Sequence, residues 1–138
     1  MKRLTALFLM IICLAGLKTV TYAQSAPLLY FCEKYNSDDG EIGISDRFTK
    51  GTLTVMVRAD RALRLTNVFI QFDKYNWNSH KFELYRKFNY TIEPAMKYIS
   101  FTKNQKNDLR FDETGFYRVF LLNDEGKNIA SSLIEIIE

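Results

Sequence analysis

The chain has 138 residues, 19 basic and 16 acidic side chains, one histidine and two cysteines. That length suits one packed domain and is short for two. Lys2, Arg3 and Lys18 all fall within the first 23 residues, so the remainder carries 16 side chains of each sign and has no basic surplus for a nucleic-acid partner.

Residues 1–23 have the plan of a secretory signal. Lys2 and Arg3 precede an apolar run from Leu4 to Leu17, and Thr21-Tyr22-Ala23 supplies a recognition site before Gln24. Fourteen apolar positions ended by Lys18 are fewer than the roughly 20 of a spanning helix, so the expectation is export by cleavage after Ala23, with no other membrane contact. The domain is then 24–138. Cys13 leaves with the signal, and Cys32, alone on an apolar strand, is expected as a small buried hydrophobe, with pairing between chains as the alternative.

From there short β-rich runs alternate with turn residues, and no helical periodicity competes. Leu28 to Glu33 is a first strand, closed by Asn36-Ser37-Asp38-Asp39-Gly40. That turn gathers oxygen ligands around a glycine. An EF-type register would start at Tyr35 and end at Asp46, so a solvated turn is the simpler reading. Thr52 to Arg58 alternates Leu53, Val55 and Val57 against Thr52, Thr54 and Arg58, the pattern of a half-buried strand. Arg58, Arg61 and Arg64 recur in the following connection and are expected as a solvated loop.

Val68, Ile70 and Phe72 make a strand that runs into the loop Lys74 to His80. In the next run Phe82, Leu84, Phe88, Tyr90 and Ile92 share one parity, and Arg86 alone interrupts it, which predicts a bulge or an edge there. Lys97 to Thr102 is a further strand, and 103–108 is a wholly polar loop. Phe116 to Leu122 and Lys127 to Ile137 flank Asn123-Asp124-Glu125-Gly126, a hairpin turn.

Seven or so short strands predict an all-β antiparallel sandwich with Greek-key connections, a small closed barrel being the alternative. Glu113, Gly115 and Tyr117 carry a resemblance to immunoglobulin-like domains, in which an acidic residue, a glycine and a tyrosine recur at alternate positions before the penultimate strand. The resemblance implies that Tyr117 is structural, its ring buried and its hydroxyl bonded to an upstream backbone group. Val119 stands where antibody-type domains have a cysteine, so the chain looks like the disulfide-free sandwich modules of exported bacterial proteins.

Candidate chemistry is sparse. With His80 as the single histidine, no Gly-x-Ser-x-Gly elbow, and only His80 and Cys32 as soft ligands outside the signal, no enzyme, metal or cofactor is expected. Binding is the expectation instead. Tyr75, Trp77 and His80 lie in a loop whose tyrosine, tryptophan, asparagine and serine suit recognition, unless Trp77 folds back as a lid. Phe116, Arg118 and Phe120 form a second candidate, the outer face of the penultimate strand. A protein partner is the leading expectation, and a glycan stacked on Trp77 and Tyr75 is the rival.

Overall fold

The computed structural model describes residues 25–102 and 109–138, so the expected signal at 1–23 and the expected polar loop 103–108 lie outside the described residues. Eleven strands make up the described fold: β1 (Leu28–Asn36), β2 (Gly40–Ser45), β3 (Arg47–Thr49), β4 (Gly51–Thr52), β5 (Thr54–Arg58), β6 (Asn67–Asn76), β7 (Lys81–Thr91), β8 (Tyr98–Phe101), β9 (Arg110–Phe111), β10 (Gly115–Asn123) and β11 (Asn128–Ile137). One sheet runs β2-β1-β5-β8, the other runs β3-β11-β10-β6-β7, and β4 pairs with β9 apart from both. All pairings are antiparallel except that of β3 with β11. Among the described residues the two main sheets share no ladder, so they form a sandwich and not a closed barrel.

From β5 onward the main strands change sheets in turn: β5 and β8 lie in one, β6, β7, β10 and β11 in the other. This Greek-key winding, with β10 between β6 and β11, is the immunoglobulin-like arrangement with one added edge strand, β7. The chain is an all-β, immunoglobulin-like sandwich. Between its layers Phe31, Val55 and Phe101 of one sheet meet Ile70, Phe72 and Val119 of the other, all of them buried.

The corner before β10 has the expected geometry. Tyr117 is fully buried, its hydroxyl donates to the Glu113 carbonyl at 2.7 Å, and its ring meets Phe111 edge-on at 4.9 Å. Burial above all pushes its phenol well above the usual value. Gly115 sits at φ 136°, open chiefly to glycine, and the Glu113 side chain pairs with Lys74 across the turn. The β10–β11 turn also closes as expected, with Gly126 at φ 78° and its N–H bonded to the Asn123 carbonyl.

Two patterns differ from the sequence reading. The first is in β7, where the bulge expected near Arg86 is present, opposite Phe72 and Asp73, but inverts the facing of the residues before it: Phe72 pairs with Arg86, and Asp73 pairs with Leu84. Tyr85 is the extra residue, and the alternation resets across it. Phe88 therefore faces the core while Phe82 and Leu84, which share its parity, face outward. Arg86 marks the bulge by reaching Asp112 at 2.5 Å and the Arg110 carbonyl at 2.9 Å.

The second difference is in β5, which is buried on both faces: Thr54 and Met56 are covered as fully as Val55 and Val57. The cover is the distal half of the β1–β2 hairpin. β1 pairs with β5 only as far as Cys32, and β2 takes the left-handed conformation at Gly43, φ 67°. Beyond that point the hairpin folds across the outer face, because Tyr35 near its end meets Tyr98 of β8 at 5.8 Å and Glu41 accepts from the Tyr30 hydroxyl at 2.5 Å. Cys32 lies beneath it fully buried, its thiol pushed up by burial and then by the charge of Glu41, so it has no route to a partner's cysteine.

Candidate binding surface

The β6–β7 hairpin places Trp77. The Asn76 carboxamide oxygen accepts from the backbone N–H of Asn78 at 2.9 Å and of Ser79 at 3.4 Å, closing the tip on its own side chain. Glu83 braces it from β7, accepting from Ser79 Oγ at 2.6 Å and Asn76 Nδ2 at 3.0 Å, and those bonds hold its carboxyl below the usual range. His80 takes φ 53° as the chain turns back, so its place is in the turn, and no ring contact joins it to the neighbouring aromatics among the described residues.

Trp77 does not fold back as a lid, because 64% of it is exposed. Its indole meets Tyr75 at 4.8 Å and 81°, and Phe116 of β10 at 6.2 Å and 67°. Tyr75 in turn meets Phe82 at 5.2 Å. The second candidate region adjoins the first here. Arg118 lays its guanidinium over Phe82 at 4.7 Å and over Phe120 at 5.0 Å, so the tip and the outer face of β10 form one surface. A cleft of about 560 Å³ beside Trp77 is lined by Lys74, Asn76, Asn78, Leu84 and Thr114.

The sequence reading missed three members of this surface. Leu84 is 65% exposed and Leu133 of β11 57% exposed, while Phe82 is half-buried beneath Arg118. For Phe82 and Leu84 the available signal was Arg86, whose break in alternation marks the bulge that turns both outward. The other places noted in the sequence are accounted for locally. Asn36 Oδ1 accepts from the N–H groups of Asp38 and Asp39, making the acidic loop an ordinary turn, and the arginine-bearing connection is held at the backbone through Arg64 N–H to the Pro94 carbonyl.

No family model matches the chain, and no curated protein matches it. Among solved structures it is similar to an immunoglobulin-like protein from Pseudomonas aeruginosa, at 11% identity and a TM-score of 0.46, over 83% of this chain and 99% of that one. The strand order and the corner at Tyr117 define the class, an immunoglobulin-like sandwich.

Proposed function

We propose that this chain is an exported, non-enzymatic binding module that holds a protein partner through the Trp77 tip and the aromatic face beside it. The observation that carries the reading is the exposure of Trp77 on a turn locked by Asn76 and Glu83. A large side chain held rigid before binding loses little entropy on contact, which is the property of an interface anchor. Exposed Leu84 and half-exposed Phe116 extend the apolar area around it.

The rival ligand is a glycan. The rings at the tip stand nearly perpendicular, 81° between Trp77 and Tyr75 and 67° between Trp77 and Phe116, so they do not make the flat platform on which successive sugars stack. That geometry favours protein. The test is capture from the native envelope with a photo-crosslinking residue beside Trp77, comparing the parent with Trp77→Ala. A protein held by the parent and lost from the variant is expected. A glycan array on which the parent binds through Trp77, or capture that ignores the substitution, would overturn the reading.

A further inference from the structure

The outer face of β7-β6-β10-β11 has an order that complements itself. Its central row is Leu84, Asp73, Arg118, Leu133: Leu84 pairs with Asp73, Asp73 with Arg118 and Arg118 with Leu133. The pattern is apolar, acid, base, apolar. Asp73 and Arg118 are cross-strand neighbours, yet they form no ion pair: Asp73 accepts from Gln71 at 2.9 Å, and Arg118 lies over its two phenylalanines.

We propose that this face packs against the same face of a second copy, about a two-fold axis parallel to the strands and midway between β6 and β10. Such an axis exchanges β6 with β10 and β7 with β11 while leaving height along the strands unchanged, so every row meets its own reverse. In the central row Asp73 meets Arg118 of the second copy and Arg118 meets its Asp73, with Leu84 on Leu133 at both ends. The next row, Lys87, Gln71, Phe120 and Ser131, sets Lys87 on Ser131 and Gln71 on Phe120. The row after sets Phe69 over Leu122, which is already buried within its own protomer and adds little area. No like charges meet in any of the three.

Charge fixes the position of the axis. Centred on β10 it would set Arg118 against Arg118, and centred on β6 it would set Asp73 against Asp73. A surface that complements this one must present an acid and a base in reversed order between apolar ends, and the same chain supplies it. Edge-to-edge pairing through β7 is opposed by the bulge at Tyr85, the device by which edges resist augmentation. Four strands about 4.8 Å apart and three rows about 7 Å apart give a footprint of about 400 Å². That is about half of the ~800 Å² each partner buries in a standard interface, so a weak, concentration-dependent dimer is expected. Because the axis runs along the strands, both Trp77 tips lie at one end of the pair, where a partner with two sites binds more tightly than either site alone provides.

The proposal rests on the reading that this surface binds protein, and the two fail separately. Sedimentation of the processed protein up to about 1 mM, with circular dichroism to confirm folding, is expected to show a parent dimer. Asp73→Arg and Arg118→Asp are each expected to be monomeric alone, to form a heterodimer when mixed, and to dimerise when combined in one chain. Leu133→Glu changes an exposed side chain outside the charge pair and is expected to weaken association at least tenfold, a readout that stands if a reversal fails to fold. A parent that stays monomeric, a dimer indifferent to these changes, or single variants that remain monomeric on mixing would overturn the proposal. Trp77→Ala is expected to leave the dimer intact, so a dimer that captures no partner sinks only the earlier reading, and capture by a monomeric parent sinks only this one.

Discussion

Tyr117→Phe isolates one hydrogen bond. The ring is fully buried against Phe111 at 4.9 Å and Tyr85 at 5.3 Å, contacts that phenylalanine keeps, so no cavity opens. What is lost is the 2.7 Å bond from the hydroxyl to the Glu113 carbonyl. A bond of this kind contributes about 1 kcal/mol net, and a carbonyl left without its donor in a part-buried corner adds up to about another 1 kcal/mol. A loss of about 1–2 kcal/mol shifts the midpoint of a domain this size by roughly 4–10 °C. Far-UV circular dichroism is the assay, because Trp77 is already largely exposed in the folded state and its fluorescence reports unfolding weakly. A midpoint within about 1 °C of the parent would refute the corner as a stabilising device.

Gly43→Ala is expected to cost about 1–2 kcal/mol in urea unfolding: Gly43 has φ 67°, and a Cβ there would stand 2.8 Å from Glu33 Cγ and Cδ. In a Glu33→Ala background only the backbone part of that cost should remain. Hydrogen bonds from Tyr30, then Tyr98, hold the Glu41 carboxyl below its ordinary value of 4.5, so its contribution to stability is present above about pH 4.5 and is lost as pH falls through the lower folded value. Glu41→Gln should therefore flatten the acid limb of the stability profile, and only in part, because Asp112 is depressed in the same direction by Arg86. Trp77→Ala should change the unfolding free energy by less than about 0.5 kcal/mol while abolishing partner capture. A large loss of stability would return Trp77 to a packing role.

What the sequence disclosed depended on how local the signal was. The corner was legible because Glu113, Gly115 and Tyr117 act on one another across four residues, and the β10–β11 turn because Asn123 and Gly126 are diagnostic of it. β2 and β3 were not foreseen: Ile42 and Ile44 are both exposed, so β2 shows no buried face, and β3 is three residues long. The parity of β7 was misread for Phe82 and Leu84 because one inserted residue inverts a period of two, and the eye follows alternation across the break. The junction of the two candidate regions depends on the register of Tyr117 with Lys74, residues 43 apart, which no local pattern encodes.

The two outer faces of the sandwich are treated differently, and the proposed binding surface lies on the less covered one. Over the first sheet the chain spends its own β1–β2 hairpin, so Met56 and Cys32 are as dry as core residues and the tyrosines above them are tied to Glu41. Over the second sheet no strand is laid among the described residues, and exposed Leu84, Phe116 and Leu133 stand there among the charged and polar side chains of an ordinary solvent face. Arg118 shields Phe82 and Phe120, and Lys87 shields Phe69 at 4.2 Å, so cations lie flat on rings that would otherwise be bare. Among the described residues nothing covers Leu84, Leu133 and Trp77 in this way, and all three are largely exposed. A face whose rings are screened by movable cations stays soluble alone and can become dry when a partner provides carboxylates to draw those cations away, which is the property expected of a surface that must be both exposed and adhesive.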